Sequence, residues 1–411
     1  MSALDNALSL PLAASLPTRL PRSARTVLAL LDTLQVGSLE IRLPDGSQLH
    51  CGRPGNATAA LEVSSWSVFD RVLERGDVGF AEAYIDGDWH TPDLVGLLTL
   101  LANNRQHIAG AVYGRWWSLL AARLRHLFNA NTRSGSRRNI MAHYDLGNDF
   151  YRLWLDPTMS YSSALYADDA PLALADAQLA KYRRILQRLQ ACPGQRVLEI
   201  GCGWGGFADT AAREADLRVV GLTLSPAQAD FARRRMHAAG VADQVGVELR
   251  DYRDLGAQQF DHVVSIEMFE AVGERWWPTY FATLKRQLAA DGRALVQSIT
   301  IRDDLFARYR RGTDFIQQHV FPGGMLPSRS VFRERAAAAG LVVHDAFGFG
   351  RDYARTLAEW SARFEQQWTR IAALGFDERF RQLWRFYLAY CQAGFNSKCT
   401  DVVQFELRHA P

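Results

Sequence analysis

The stretch Arg196-Val-Leu-Glu-Ile-Gly-Cys-Gly-Trp-Gly-Gly206 limits what this chain can fold into more than any other. Val197, Leu198 and Ile200 flank Glu199 and read as a buried strand. Gly201, Gly203, Gly205 and Gly206 then break it, and from Trp204 to Ala215 the apolar spacing is helical. Strand, glycine turn and helix make the opening unit of a doubly wound α/β sheet. Glycines in such a turn let a ligand approach the backbone, and the following helix presents unpaired N–H groups.

The ligand is constrained by what the turn lacks. A dinucleotide loop wants GxGxxG; here a glycine, Gly205, comes one residue early, but Gly206 still fills the third position, so the spacing alone does not choose the ligand. No Lys-Ser/Thr pair follows, which excludes a P-loop. Glu199 lies on the strand beside the turn. A carboxylate there repels a pyrophosphate and suits a cation. S-adenosylmethionine, with its sulfonium and ammonium, meets that demand. Asp251, after a strand at 245–250, strengthens the reading.

The rest of the chain alternates around this unit. A helix over 172–189 leads into it. Strands at 218–222, 245–250, 260–266, 293–300 and 341–347 follow, with helices starting near Pro226 and covering 276–289, 303–317 and 328–339. Asp291-Gly292 reads as a turn. Helices at 353–373 and 376–394 precede a last strand, 402–407. Upstream, a helix at 22–34, a hairpin of 39–43 with 48–51, a strand at 61–63 and a helix at 65–75 suggest a small mixed domain. Glycines punctuate the acidic stretch from Gly76 to Trp89. Thr91-Pro92-Asp93 then opens a helix to Asn103, with Thr91 as the N-cap. Asn129 to Asn139 has the composition of a linker.

Composition bounds the function. A net charge of +3 over 411 residues does not mark a nucleic-acid binder. The charge is uneven, though: Arg105, Arg115, Arg123, Arg125, Arg133, Arg137 and Arg138 fall in a stretch without an acid. Trp116, Trp117 and Phe128 share it. Such a segment can lie on an anionic bilayer or pack against its own protein, and the pattern alone does not choose. Five cysteines without paired spacing favour a reducing compartment, and no CxxC or HExxH motif suggests a metal. No apolar run reaches transmembrane length, so any lipid contact is expected to be peripheral.

Val197 to Gly206 resembles motif I of the class I methyltransferases. Further stretches resemble one family of that class, the cyclopropane-fatty-acyl-phospholipid synthases. They are His143-Tyr-Asp-Leu-Gly-Asn-Asp149, Val220-Gly-Leu-Thr-Leu-Ser225 with Gln228, Ser265-Ile-Glu-Met-Phe-Glu-Ala-Val-Gly273, and Asp314 to Pro327. The resemblance covers about 139–407 and extends more loosely over 20–130. It implies a doubly wound Rossmann-like methyltransferase sheet with an antiparallel final strand, beside a smaller N-terminal α+β domain. Residues 20–128 would be a lipid-binding domain, 129–139 the linker and 140–411 the S-adenosylmethionine-dependent catalytic domain.

The resemblance also implies roles. Gly201 and Gly203 would hold the methionine part of the cofactor. Tyr144, Thr223, Leu224 and Gln228 would line its carboxylate and ribose, with Ser162 among the contacts. Asp251 and Tyr252 would sit by the adenine. For Asp251 a turn or N-cap is the plainer alternative, and for Tyr144 core packing. The reaction would be attack by an alkene on the cofactor's methyl group, followed by loss of a proton that closes a cyclopropane. The base would be a bound bicarbonate, with Glu270, Tyr353 and the Ile299 main chain around it. Two positions depart: Ser163 stands where the family often has cysteine, and Gln297 where it often has histidine. Glu267 is an extra carboxylate where many members carry glycine. Whether bicarbonate or a carboxylate such as Glu267 or Glu270 takes the proton stays open.

The resemblance thus implies methylene transfer to the cis double bond of unsaturated phospholipid acyl chains. The enzyme would be cytoplasmic, at the inner face of the membrane. Alternatives are C-methylation of the chain without ring closure and methylation of a soluble small molecule. A homodimer would add avidity for a surface. Phe315, Phe321, Met325, Trp360, Phe364, Trp368, Trp384 and Phe386 could wall an acyl tunnel, but their helical spacing favours plain core.

Overall fold

The computed structural model describes residues 20–53, 58–108, 146–166 and 171–411. The basic aromatic stretch 110–128, the linker 129–139 and Tyr144 lie outside the described residues. The chain divides into two compact units.

The described part of the first unit comprises 20–53 and 58–108 together with 378–393. Its four strands are β1 (Ser38–Arg42), β2 (Gln48–Gly52), β3 (Thr58–Val63) and β4 (Trp89–His90), in the order β2-β1-β3-β4. The expected hairpin is present, with Leu39 opposite Cys51. The glycine-punctuated acidic stretch forms a helix, Asp77–Ile85. Gly79 lies within it because a Cβ there would stand 2.1 Å from the Arg71 carbonyl oxygen of the preceding helix. The next helix is Leu94–Asn103, and its N-cap is Asp93, not Thr91. The Asp93 carboxylate accepts from the Gly96 N–H at 2.8 Å, whereas the Thr91 hydroxyl accepts only from the Asp93 N–H. The sequence predicts a second domain running unbroken from 140 to 411. In the structure most of the helix Glu378–Asn396 packs into the first unit. There Phe386 lies 5.5 Å from Tyr84, and the Tyr390 hydroxyl donates to Asp77 at 2.8 Å.

The second unit is built on seven strands: β5 (Arg196–Ile200), β6 (Arg218–Thr223), β7 (Val245–Leu249), β8 (Phe260–Ile266), β9 (Leu288–Ile301), β10 (Leu341–Gly348) and β11 (Thr400–His409). Their order is β10-β11-β9-β8-β5-β6-β7. The pairs β9/β8, β8/β5, β5/β6 and β6/β7 are parallel, and β11 runs antiparallel to both its neighbours, as expected. Both faces of the sheet are covered, which is why Val197, Leu198 and Ile200 of β5 are all apolar and buried. Phe269, Trp277, Phe281, Phe332 and Phe405 fill one face. Tyr182, Ile185, Phe207, Ala211 and Ala232 fill the other.

Two local expectations change. The helix expected over 303–317 is two helices, Asp303–Tyr309 and Phe315–His319. Arg311-Gly312-Thr313 interrupts it, and Asp314 starts the second piece with a capping box. Asp291-Gly292 is an irregularity in β9 rather than a turn before it: Phe260 pairs with Leu288, but His262 already pairs with Arg293. No helix among the described residues is long and apolar enough to cross a membrane. The chain leaves β5 for β6 and β7, then returns to place β8 on the other side of β5. The carboxyl ends of β5, β6 and β8 therefore open a crevice at that reversal.

Candidate active site

The glycine turn forms the floor of the crevice. The Gly201 and Cys202 N–H groups donate to the Leu222 carbonyl at 3.0 and 2.8 Å, which fastens the turn to β6. Gly201 has φ +87°, and a Cβ there would stand 2.8 Å from Met268. Only glycine meets both demands without strain. The walls are Met159 to Ser162, Glu199 to Trp204, Leu222 to Leu224, Gln228, Arg250 to Arg253 and Ile266 to Met268. Thr223 and Gln228 are joined, hydroxyl to amide oxygen, at 2.8 Å.

The electrostatics of this floor favour a cation. Glu199 is buried, and its Oε2 accepts no hydrogen bond among the described residues. Burial pushes its carboxyl up to about 8, and only Lys181 pulls it back. A buried carboxylate oxygen without a donor is costly unless a ligand supplies one. The ammonium and sulfonium of S-adenosylmethionine fit that requirement. Lys181 itself is fully buried, and its Nζ donates to Ser162 Oγ and to Gln178 Oε1, each at 2.6 Å. Burial lowers it to about 8, against the fields of Glu267, Asp156 and Glu199. The Cys202 thiol is buried and its pKa is pushed well up, so it is no nucleophile.

A second carboxylate borders the same crevice. Glu267 follows β8 with φ +49°, in the left-handed region. Its Oε1 accepts from the Ser163 N–H at 2.8 Å and the Gln297 side-chain amide at 2.7 Å. Its Oε2 accepts from the Tyr353 hydroxyl at 2.6 Å. Burial raises its pKa, and Tyr353, Lys181, Ser163 and Gln297 counter that. Glu270 lies behind it. Its Oε1 accepts from the Ile299 N–H and from the Ser298 hydroxyl, while its Oε2 is buried with no hydrogen-bond partner. Burial first, and the charge of Glu267 second, push Glu270 up to about 8. A carboxyl raised to about 8 holds its proton at neutral pH, so Glu270 is a neutral neighbour of Glu267. Tyr353 stacks on Phe395 at 4.5 Å and meets Trp360 edge-on at 6.1 Å. Tyr161, on the crevice wall, lies 5.4 Å from Trp360. This end of the site is apolar and aromatic.

The structure thus gathers Ser162, Glu199, Gly201, Gly203, Thr223, Leu224, Gln228, Asp251, Tyr252 and Glu267 around one crevice. Ser163, Gln297 and Tyr353 converge on Glu267, and Ile299 on Glu270. Two details differ from expectation. The Ser163 hydroxyl turns away to the Ala164 carbonyl, so the backbone N–H, not the substituted side chain, reaches into the site. Asp251 does act as an N-cap: it accepts from the Arg253 N–H at 2.9 Å and pairs with the Arg253 guanidinium, while still lining the crevice. Lys181 was not anticipated. Its signal was present, since it falls among Ala177, Gln178, Tyr182 and Ile185 on the buried stripe of the helix Leu174–Leu189. A charge at a core position of a helix is rare unless it is paired. Of the tunnel candidates, Trp384 and Phe386 belong to the first unit, and Met325 is part of the sheet's core.

The comparisons agree with this geometry. Residues 131–405 match the family described as mycolic acid cyclopropane synthetase. The tuberculostearic acid methyltransferase UfaA1 of Mycobacterium tuberculosis is 39% identical over 369 residues, 86% of each chain. The cyclopropane-fatty-acyl-phospholipid synthase of Escherichia coli is 36% identical, covering 84% of this chain and 86% of that one. Among solved structures, mycolic acid cyclopropane synthase CmaA1 complexed with SAH and CTAB is 34% identical. It superposes with a TM-score of 0.62 over 66% of this chain and 97% of that one. The chain belongs to the cyclopropane synthase family and is an S-adenosylmethionine-dependent methyltransferase.

Proposed function

We propose that this enzyme alkylates the cis double bond of unsaturated phospholipid acyl chains at a membrane surface, giving cyclopropane fatty acids. One observation carries the reading: a single crevice that bears both an unsatisfied carboxylate oxygen, Glu199 Oε2, and a buried, aromatic-walled carboxylate, Glu267. The cofactor supplies an electrophilic methyl group when bound. Gly201, Gly203, Thr223, Leu224, Gln228, Asp251 and Tyr252 would hold it, with its cationic end toward Glu199. An alkene is a weak nucleophile, so orientation carries much of the rate. A carbocation left on the chain is sheltered by the faces of Tyr161, Tyr353 and Trp360 and kept from water. The first unit and the basic stretch 105–138 would bring the chain to lipid from the cytoplasmic side. The identity to the E. coli phospholipid synthase supports that substrate class.

A second product is favoured by one observation, the 39% identity to a tuberculostearic acid methyltransferase. In that case the chain gains a branch without a ring. Purified enzyme, methyl-labelled S-adenosylmethionine and dioleoyl-phospholipid vesicles test the reading. Label is expected in the acyl chains, with cyclopropane proton signals by NMR. Olefinic methylene signals would select the branched product, and absence of label from the acyl chains would refute the lipid substrate.

A further inference from the structure

The groups that the family resemblance would turn toward a carbonate are already engaged. The Ser163 N–H, the Gln297 amide and the Tyr353 hydroxyl all end on Glu267. The Ile299 N–H ends on Glu270. Bicarbonate does not fit this donor set as it stands. We infer that the Glu267 carboxylate occupies the position of that anion, acts as the fixed general base, and makes the enzyme independent of bicarbonate. The inference rests on the lipid-alkylation reading above.

The chemistry of the replacement is close. A carboxylate offers the same planar O–C–O unit and the same single charge as bicarbonate, tethered to the chain. The backbone shows that it is held there at a cost. Glu267 is a non-glycine residue at φ +49°, a conformation that costs on the order of 1 kcal/mol for a residue with a Cβ. Neighbouring structure enforces it: the Glu267 N–H donates to the Gln297 carbonyl at 2.8 Å, so one residue fixes both its main chain and its carboxylate.

A polar relay also sets which oxygen takes the proton. The Arg184 guanidinium can only donate, so it faces Gln404 Oε1. The Gln404 amide N–H then faces Gln297 Oε1 at 3.0 Å, and this leaves the Gln297 amide N–H to point at Glu267. With the Ser163 N–H on the same atom, Oε1 receives two N–H donors and cannot carry a proton. Oε2, with the rotatable Tyr353 hydroxyl, is the oxygen that can. Among the described residues, the charged and titratable groups that act on Glu267 are Lys181, Glu270 and Tyr353. Tyr353 and Lys181 oppose the rise that burial imposes on the Glu267 carboxyl, while burial and the charge of Glu267 push Glu270 up to about 8.

The step balances without a redox partner. The C–H bond of the newly added carbon breaks, and its electron pair forms the new C–C bond as the carbocation is consumed. The proton goes to Glu267 Oε2.

The experiment uses the full chain in carbon-dioxide-stripped buffer with labelled cofactor and dioleoyl-phospholipid vesicles. The wild-type rate is expected to change less than about 2-fold when bicarbonate is added. Glu267→Gly suits the backbone and opens the anion position. It is expected to lose on the order of 10²–10⁴-fold in rate, as removal of a general base does, and to regain part of it with added bicarbonate or formate. Glu267→Gln keeps the shape and is expected to show the same loss without rescue. Both are expected to bind S-adenosylhomocysteine as the wild type does in calorimetry. A wild-type rate that collapses without bicarbonate, or either variant at the wild-type rate in stripped buffer, overturns the inference while leaving the lipid substrate intact. Acyl chains left unlabelled by the wild type, with and without bicarbonate, overturn the function on which it rests.

Discussion

Two buried carboxylates stand at the carboxyl ends of neighbouring parallel strands, Glu199 on β5 and Glu267 just past β8, and the protein treats them in opposite ways. Glu199 sits in regular strand geometry with an oxygen that accepts nothing. Glu267 sits in a left-handed backbone conformation and receives three donors. Both pKa values are raised by burial, and both lean on Lys181. The difference separates binding from chemistry. An unsatisfied carboxylate is completed by a cationic ligand, which gains affinity from it. A saturated one is rigid and already placed, which is what proton removal beside a short-lived carbocation requires.

Lys181 is the shared element, so its removal is expected to have the largest effect. Lys181→Met leaves Glu199, Glu267 and Asp156 without the cation among them. Breaking a buried ion cluster by removing one partner costs about 3–5 kcal/mol. Urea unfolding at pH 7 checks this. The deficit is expected to shrink toward pH 5. The Glu267 carboxyl has its pKa raised on folding, so the folded variant takes up a proton there more readily than the unfolded chain as pH falls, which relieves the uncompensated charge. A deficit independent of pH would remove Lys181 from the electrostatics of both carboxylates.

Glu199→Gln should separate the two ends of the site. It is expected to weaken S-adenosylmethionine binding about 10²-fold, the value of a buried charge-assisted contact of about 2–3 kcal/mol. S-adenosylhomocysteine, which lacks the sulfonium, should lose less. Because the free Glu199 carboxyl titrates at about 8, a cation must displace its proton at lower pH. Wild-type affinity is therefore expected to rise as pH climbs from 6 toward 8, and the Gln variant to stay flat. Titration calorimetry reads both slopes. Equal slopes would mean that Glu199 is not the cation's partner.

What the sequence disclosed follows the same division. The binding end is local. Glu199, Gly201 and Gly203 lie in one strand-turn unit, and strand periodicity located 260–266 at its observed bounds. The chemical end is assembled from distant segments. Ser163, Gln297 and Tyr353 reach Glu267 across 104, 30 and 86 positions, and no periodicity encodes such convergence. Glu267 was visible only as a carboxylate out of place in a family pattern. That the Ser163 main chain, not its hydroxyl, faces the site depends on a peptide orientation that residue type does not carry. The misread helix over 303–317 has a simpler cause: Asp314 was able to cap, and capping residues compete with helix continuation.

Gln404 tests how far the saturation of Glu267 extends. It is fully buried on β11 and touches Glu267 only through Gln297. Gln404→Leu removes the acceptor that Arg184 faces and the donor that orients the Gln297 amide. The amide can then rotate and present its oxygen to Glu267 Oε1. Acceptor would face acceptor, and Glu267 would be driven to hold a proton. Its pKa, already raised, should rise further, so the acidic limb of the kcat profile is expected to move to higher pH. At neutral pH kcat should fall by about 3–5-fold, the scale of one lost hydrogen bond of about 1 kcal/mol. KM for the cofactor should not change, because Glu199 lies outside the relay. Gln404→Glu would face the Gln297 amide with acceptors alone and force the opposite polarity through the chain. It is expected to move the acidic limb further than leucine does. A kcat profile unchanged in both variants would confine the positioning of Glu267 to Ser163, Gln297 and Tyr353 themselves, and a changed KM would show that the two carboxylates are not independent.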